Sequence, residues 1–173
     1  MTEKETIPRP PARLILTTPE HFVAFGFGSG LAPVAPGTFG TLAGIPFWLL
    51  LMWLPLPAYL LVVLALFVFG CWVCGESARL LRVHDYGGIV FDEIVGLLVA
   101  CLPMLLLDAS LWWTVVAFGL FRAFDILKPW PIRWLDARVK GGFGIMIDDL
   151  IAGVFSAAVL YLGLWLLGTP ASA

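Results

Sequence analysis

The stretch Gly144-Ile145-Met146-Ile147-Asp148-Asp149-Leu150-Ile151-Ala152-Gly153 places two adjacent carboxylates at the start of a long apolar run. An earlier stretch repeats this order of glycine, apolar residues, acidic pair, apolar residues and glycine: Gly88-Ile89-Val90-Phe91-Asp92-Glu93-Ile94-Val95-Gly96. An Asp at the centre of a membrane helix costs about 2.5–3.5 kcal/mol on insertion scales, and less near the interface. Four such carboxylates predict an offsetting partner, and a divalent cation with oxygen ligands is the first candidate. The alternative is that each pair only marks a helix N-terminus, where acidic residues favour the positive end of the dipole.

The composition is that of an integral membrane protein. Of the 173 residues, 61% are hydrophobic and 13% are charged, whereas a soluble domain has about 45–50% apolar and about 25% charged residues. The length fits a single domain. We expect residues 1–17 to form a cytoplasmic tail and residues 18–168 to form one membrane-embedded catalytic domain. The cysteines, Cys71, Cys74 and Cys101, lie in apolar runs and are expected to be core thiols.

The predicted fold class is all-α: a polytopic membrane helical bundle of about five spans with short interfacial helices. The five apolar runs cover residues 39–53, 58–81, 92–107, 111–127 and 145–167. A short helix is expected to begin at Thr18, and a surface helix to cover residues 132–139. Two prolines are expected to keep residues 31–38 from being helical, and residues 141–144 are expected to form a flexible glycine hinge.

The distribution of charge favours one orientation of this bundle. With a cytoplasmic N-terminus, five spans place all ten Lys and Arg residues on or near the cytoplasmic side, as the positive-inside rule expects. The same layout brings the polar motifs to one membrane face: Gly26–Gly30, His84–Asp85, Asp92–Glu93, Arg122–Lys128 and Asp148–Asp149. We therefore expect one site at the cytoplasmic boundary.

The two acidic pairs, Asp92 with Glu93 and Asp148 with Asp149, are the candidate metal ligands. Adjacent helical residues point about 100° apart, so one member of each pair is expected to face the other helix while its neighbour supports it or binds a second ion. Small residues follow one turn later, which lets two membrane helices approach closely; they are Gly96, Ala152 and Gly153. The predicted result is an oxygen cage suited to Mg²⁺ or Ca²⁺ rather than to zinc.

Basic residues near these carboxylates indicate a phosphate ester as the ligand. Arg122, Asp125 and Lys128 recur at every third position near the end of one apolar run, and Arg133 follows a proline break. Arg and Lys beside a carboxylate-bound metal are the usual groups that hold a phosphate ester. We expect Arg122, Lys128 and Arg133 to hold the phosphate while a water molecule attacks it. Anchoring at the cytoplasmic membrane surface is the alternative role for these cations.

Three further features have weaker assignments. His84 and Asp85 are candidate catalytic residues, as a general acid or base, with loop capping as the alternative. The Gly26–Gly30 loop is compatible with phosphate binding through backbone N–H groups, but no Walker-type Lys-Ser/Thr follows it. Ser29 and Thr38 stay open as protein nucleophiles in place of water.

Taken in order, these motifs resemble the phosphatidylglycerophosphatase A family. The resemblance covers roughly residues 20–165 and is carried by six motifs: Gly26–Gly30, Pro33–Thr38, His84–Asp85, Val90–Glu93, Lys128–Arg133 and Gly144–Asp149. It implies a multi-pass enzyme of the bacterial inner membrane, with its active site facing the cytoplasm. Such an enzyme removes the terminal phosphate of phosphatidylglycerophosphate with Mg²⁺ and yields phosphatidylglycerol. The implied partners are the anionic phospholipid substrate and the membrane, with no nucleic acid.

The main alternative is an ion-coupled membrane transporter that uses the carboxylate cluster. A transporter tends to spread its ionisable residues through the membrane, whereas here the outer half contains only Asp108. A CDP-alcohol phosphotransferase needs an Asp-x-x-Asp-Gly-x-x-Ala-Arg motif that this sequence lacks, and the Ser-Gly-His pattern of other lipid phosphatases is also absent. The phosphatase interpretation is therefore favoured.

Overall fold

The computed structural model describes residues 9–83 and 86–168 of the chain. These residues form helices and their connections, without any strand, which confirms the predicted all-α class. In chain order the helices are α1 (Ala12–Thr17), α2 (Pro19–Ala24), a 3₁₀ helix (Gly26–Leu31), α3 (Pro36–Leu51), α4 (Leu56–Leu81), α5 (Phe91–Ala100), α6 (Leu102–Leu106), α7 (Trp113–Leu127), α8 (Ile132–Asp136) and α9 (Gly141–Leu166).

Two of the described helices are long and apolar enough to cross a membrane. Helices α4 and α9 contain 26 residues each, which is about 39 Å at 1.5 Å per residue, against a hydrocarbon core of about 30 Å. Helix α3 is apolar but has 16 residues, and α7 has 15. Helix length and composition therefore support two spans, and the five-span arrangement goes beyond what they show.

The third predicted span is divided into two helices. Helix α5 ends at Ala100 and α6 begins at Leu102, with Cys101 between them. Pro103 lies in the first turn of α6, where its missing N–H is tolerated, but it cannot donate the hydrogen bond that would continue α5. The prediction of one helix over residues 92–107 is therefore wrong. Hydropathy did not reveal the break, because a proline does not interrupt an apolar run of sequence.

Helix α9 is the centre of the bundle and packs against α4, α5, α7 and α8. Its contact with α5 is close because glycines face each other there. A Cβ added to Gly153 would lie 2.6 Å from the carbonyl oxygen of Gly96, and a Cβ at Gly96 would lie 2.5 Å from the ring of Phe121. The predicted close approach of the two helices that carry the acidic pairs is thus confirmed.

The glycines of residues 141–144 belong to the first turn of α9 and do not form the predicted hinge. A Cβ at Gly142 would overlap the carbonyl oxygen of Cys71 and lie 2.8 Å from the backbone nitrogen of Gly75 on α4. Gly142 therefore serves the close packing of α9 on α4. The sequence of a glycine run is the same whether the run forms a hinge or allows another helix to pack closely. Here the packing of α4 determines which role the run has.

The first helices differ from the prediction mainly at their ends. Thr18 is the N-cap of α2 and Pro19 its first residue, as expected. Helix α3 begins at Pro36 within the segment predicted to be non-helical, because proline is favoured in the first turn of a helix. The surface helix α8 ends at Asp136, before the predicted end at residue 139.

One buried polar contact ties α2 to α4. Nδ1 of His21 lies 2.8 Å from Oγ of Ser77, and both residues are buried. Burial lowers the pKa of His21 below its ordinary value of 6.5, although the nearby charge of Glu20 acts in the opposite direction. The imidazole is therefore held in its neutral form near neutral pH.

Candidate active site

The two acidic pairs line one polar cavity of about 170 Å³, bordered by α5, α7, α8 and α9. Its lining consists of Gly87, Ile89, Asp92, Glu93, Asp125, Lys128, Asp136, Val139, Gly144, Ile145, Asp148 and Asp149. Residues 92 and 149 are far apart in sequence, and the close packing of α5 on α9 brings them together. We call this space the acidic cavity.

The two pairs occupy different positions on their helices. Asp92 and Glu93 lie in the first turn of α5, where the helix dipole favours negative charge. Asp148 and Asp149 lie about two turns inside α9, which begins at Gly141, so the dipole at the helix end is of little help to them. The interpretation of both pairs as helix starts therefore fits the first pair and fails for the second.

Glu93 is held by a cation and a hydroxyl. Its Oε2 accepts a hydrogen bond of 2.5 Å from Oγ1 of Thr41 and an ion-paired hydrogen bond from Nη1 of Arg122. The same Arg122 nitrogen lies 2.9 Å from Oδ2 of Asp125 and 3.3 Å from Oγ1 of Thr41. A Cβ at Gly37 would overlap the Glu93 carboxylate, so this glycine makes room for it. Arg122 thus offsets the charge of Glu93 from behind the cavity wall.

Lys128 is the basic side chain that lines the acidic cavity within the described part of the chain. Its Nζ donates to Oδ2 of Asp148 at 2.7 Å and lies 3.0 Å from Oδ1 of Asp136. Burial by itself would lower the pKa of Lys128, but the hydrogen bonds and charges of Asp148 and Asp136 outweigh burial and raise it. Lys128 caps α7 with a left-handed backbone (φ 42°), and Pro129 follows at once, so the local sequence ends the helix there.

Two carboxylate oxygens in the cavity have no hydrogen-bond partner within the described part of the chain. Oδ1 of Asp148 and Oδ2 of Asp149 are buried and accept no hydrogen bond from the described residues. The residues themselves are 6% and 3% exposed. Buried carboxylate oxygens left without a donor are costly, so they favour the entry of a cation.

The donor set fits a hard divalent cation. Among residues 9–83 and 86–168, no three His, Cys, Asp or Glu side chains are already arranged closely enough to hold a metal by themselves. Mg²⁺, however, is commonly bound through one or two carboxylates completed by water and substrate phosphate oxygens. Asp148 and Asp149, with their unpartnered oxygens in one cavity, meet that requirement.

The other predicted site residues are placed as follows. Asp125 lines the cavity, while Arg122 lies behind Glu93 and does not line it. Arg133 is exposed on α8 and lies outside the lining. His84 and Asp85 lie outside the described residues, although Gly87, which follows them closely in sequence, borders the cavity.

Thr41 and Asp136 belong to the site although the sequence analysis did not select them. Thr41 is a fully buried hydroxyl in the apolar α3, 52 residues away from the carboxylate that it binds. The signal available in the sequence was a polar side chain inside an apolar run, which is equally compatible with a hydroxyl bonded to its own helix. Asp136 lies at the end of α8, the predicted surface helix, where an acidic side chain gives no signal of a site.

The helical bundle has two helices long and apolar enough to cross a membrane, which suggests a membrane-associated protein, and it contains a polar cavity lined by carboxylates and a lysine. The family model for phosphatidylglycerophosphatase A matches residues 22–164 of the chain. The chain therefore belongs to the phosphatidylglycerophosphatase A family, and it is a phosphatase.

Individual relatives agree with this assignment. The phosphatidylglycerophosphatase A of Escherichia coli is 48% identical over 151 residues, covering 87% of this chain and 86% of that protein. The Haemophilus influenzae protein of the same name is 44% identical over 155 residues, covering 88% and 93%. A Bacteroides thetaiotaomicron protein with the provisional name phosphatidylinositol-3-phosphatase is 37% identical over 151 residues, covering 84% and 94%. No solved structure matches the chain significantly.

Proposed function

We propose that this protein hydrolyses the terminal phosphomonoester of phosphatidylglycerophosphate to phosphatidylglycerol and inorganic phosphate, and that the reaction depends on Mg²⁺. The observation that carries the proposal is the acidic cavity, in which Lys128, Asp148 and Asp149 converge. Each of the two buried carboxylates has an oxygen that accepts no hydrogen bond from the described residues. The names of the relatives in Escherichia coli and Haemophilus influenzae supply the lipid. The alternative of an ion-coupled transporter has no support from the relatives, which are named as phosphatases.

The cation would be held by Asp148 and Asp149, with Asp92 and Glu93 as supporting carboxylates. When bound, Mg²⁺ supplies positive charge that stabilises the phosphoryl oxygens. Oδ1 of Asp92 already accepts the backbone N–H of Glu93 at 3.0 Å, and Glu93 is held by Arg122. The α5 pair is therefore better placed to orient the site than to supply its first ligands.

Lys128 would contact a phosphoryl oxygen directly, since it lines the cavity and its ammonium is kept charged by two carboxylates. Phosphoryl transfer depends mainly on such positioned charges. Arg122 acts through Glu93, whereas the exposed position of Arg133 suits contact with the anionic membrane surface. Asp125, next to Arg122, completes this positioning network.

Water is the proposed nucleophile. Its oxygen attacks phosphorus, the bond between phosphorus and the glycerol oxygen breaks, and the glycerol oxygen receives a proton. Ser29 and Thr38, the alternative nucleophiles, do not line the acidic cavity. His84 and Asp85 stay our candidates for the acid and base that move these protons, because they adjoin the cavity-lining Gly87 in sequence.

We further propose a multi-pass protein of the bacterial inner membrane, with the acidic cavity on the cytoplasmic side. Helix α4 is suited to face lipid, because large apolar side chains such as Leu60, Leu61 and Leu64 are exposed along it. The placement of Lys and Arg supports the orientation. Helices α3 and α7, with the α5–α6 pair, would supply the remaining crossings of the five-span arrangement.

A second substrate deserves a direct comparison because of the 37% identical relative from Bacteroides thetaiotaomicron, whose provisional name refers to phosphatidylinositol 3-phosphate. Both lipids carry a phosphomonoester on a polyol head group. The test is phosphate release by the purified protein in detergent from phosphatidylglycerophosphate, phosphatidylinositol 3-phosphate and phosphatidic acid, with Mg²⁺ and with EDTA. We expect the highest kcat/KM for phosphatidylglycerophosphate and loss of activity in EDTA. Release that is equally fast from all three lipids, or that survives EDTA, contradicts the proposal.

A further inference from the structure

A second cavity, of about 390 Å³, adjoins the acidic cavity. Gly87 borders both, so the two spaces share a wall at the segment that leads into α5. The lining of the second cavity includes Arg9, Phe25, Leu31, Pro33, Tyr86 and Gly87. We call this space the arginine cavity, because Arg9 is the one cation in its lining within residues 9–83 and 86–168.

The arginine cavity has mainly apolar walls and few polar side chains. Nη2 of Arg9 donates a hydrogen bond of 2.6 Å to the carbonyl oxygen of Pro33, which fixes the guanidinium against the chain before α3. A guanidinium has five N–H groups, so donors are left for an anion. The phenol of Tyr86 is the other long polar side chain in the lining.

The charge of the acidic cavity limits what it can accept. Among the described residues its lining has one lysine and six carboxylates, from Asp92, Glu93, Asp125, Asp136, Asp148 and Asp149. Even with a divalent cation bound, the carboxylates of this lining outnumber its positive charges, so no positive charge is left there for a second phosphate. A phospholipid with a phosphomonoester head group and an internal phosphodiester must therefore place its second phosphate outside this cavity, only a glycerol unit away.

We propose that the arginine cavity binds the phosphodiester and adjoining glycerol of the lipid while the phosphomonoester occupies the acidic cavity, and that Arg9 pairs with the phosphodiester. The proposal rests on the proposed function and adds a reason why the enzyme would prefer phosphatidylglycerophosphate to phosphatidic acid. Arg is well suited to a phosphate because its planar N–H groups bind two oxygens at once. Phosphatidic acid has its only phosphate as the monoester, so it leaves Arg9 without a partner.

The test compares Arg9→Gln with the matched control Arg13→Gln. Arg13 is exposed on α1 and lines neither cavity, so both variants lose one charge from the same terminal segment. Hydrolysis of phosphatidylglycerophosphate is measured in mixed micelles, with phosphatidylglycerol or phosphatidic acid as competing lipid. Each competitor yields an inhibition constant whether or not it is itself hydrolysed.

We expect Arg9→Gln to raise the KM for phosphatidylglycerophosphate and the inhibition constant of phosphatidylglycerol by about 10-fold or more, the loss typical of a charge-assisted hydrogen bond. The inhibition constant of phosphatidic acid should stay unchanged in Arg9→Gln. Arg13→Gln should have the same constants as the wild type, and the constants of Arg9→Lys should lie between those of the wild type and Arg9→Gln. Equal changes for both competing lipids, or for both variants, would show general attraction to an anionic surface and overturn the proposal. A wild type that phosphatidylglycerol does not inhibit would also overturn it.

A separate variant tests the junction between the cavities. A Cβ at Gly87 would meet no atom of the described residues within 4 Å, so a larger side chain there is compatible with the fold. Gly87→Leu should raise the KM for phosphatidylglycerophosphate more than the inhibition constant of inorganic phosphate, because only the lipid extends across the junction. An equal effect on both contradicts the proposal. Failure of the wild type to hydrolyse phosphatidylglycerophosphate refutes the proposed function instead, and is read from the same assay.

Discussion

Lys128, in the loop after α7, donates a 2.7 Å hydrogen bond to Oδ2 of Asp148 in α9. This contact joins two elements of the acidic cavity and leaves the other oxygen of Asp148 without a partner among the described residues. The pair therefore has two functions in the proposed site. Lys128 compensates the buried charge of Asp148, and Asp148 holds the Lys128 ammonium in the position where it would contact the phosphate.

Substitution of Lys128 separates these two functions. Lys128→Met should reduce phosphate release by about 100-fold or more, the loss found when one preorganised donor is removed from a charged transition state. It should also lower stability by about 1–3 kcal/mol, because the carboxylate of Asp148 loses its donor. The double variant Lys128→Met with Asp148→Asn should regain stability without activity. Thermal unfolding in detergent and phosphate release measure the two effects, and an active Lys128→Met would exclude the proposed contact with phosphate.

Asp149 and Asp92 should respond differently to Mg²⁺. We expect Asp149→Asn to lose activity at every Mg²⁺ concentration. Asp92→Asn should reduce activity by about 10- to 100-fold, and high Mg²⁺ should restore part of that activity, as is typical of residues that orient a metal ligand. Unfolding in EDTA should show Asp149→Asn to be at least as stable as the wild type, because a buried unpartnered charge is removed. Asp108→Asn is the control, because Asp108 does not line the acidic cavity. Full activity in Asp149→Asn would rule out its role as a ligand.

Thr41 is predicted to position Glu93. Thr41→Val keeps the shape of the side chain but removes the 2.5 Å hydrogen bond to Oε2, so Glu93 and Arg122 lose one of their fixed contacts. We expect kcat to fall by about 10-fold with little change in KM, which corresponds to about 1.4 kcal/mol. Thr41→Ser retains the hydroxyl and should restore most of the activity. If serine and valine behave alike, the hydroxyl has no positioning role.

His21 predicts a pH dependence of stability. Burial lowers the pKa of His21 in the folded protein, while the unfolded chain keeps a value near 6.5. As pH falls through 6.5, His21 therefore binds a proton in the unfolded state but not in the folded state, and the stability of the fold decreases. Above pH 6.5 His21 is neutral in both states and adds no pH dependence. The melting temperature of the wild type should drop on acidification from pH 7 to pH 5 more than that of His21→Gln. Parallel curves would contradict this assignment.

The proposed topology predicts which side of the membrane each loop occupies. A single cysteine at Asp108 should react with a membrane-impermeant maleimide from the periplasm, and one at Lys140 only after the cytoplasmic side is made accessible. Lys140 is exposed and precedes α9, whereas Gly142 would be a poor probe because a Cβ there overlaps the carbonyl oxygen of Cys71. Cys71 is replaced by Ala in this background, since it is only half-buried. Labelling of both positions from one side would exclude the arrangement.

Much of the fold and part of the site could be predicted from local properties of the sequence. Helices α4 and α9 follow from long apolar runs, and the start of α2 follows from Thr18 and Pro19. The break before Pro103 and the helical state of residues 141–144 were missed. The break follows from the missing N–H of Pro103 itself, whereas at residues 141–144 an identical local sequence is compatible with two structures and the neighbouring α4 selects one of them.

The sequence by itself determined that the protein is helical and apolar and that four carboxylates lie in two similar motifs, because helix formation and hydropathy depend on residues that are near each other in the chain. Only the tertiary structure decided that both motifs line one cavity, that Lys128 faces Asp148, and that Arg122 lies behind Glu93 instead of beside the phosphate site. The physical reason is that these contacts depend on the distance and rotation between packed helices. Glycines such as Gly96 and Gly153 set that distance, and their effect exists only once the partner helix is in place.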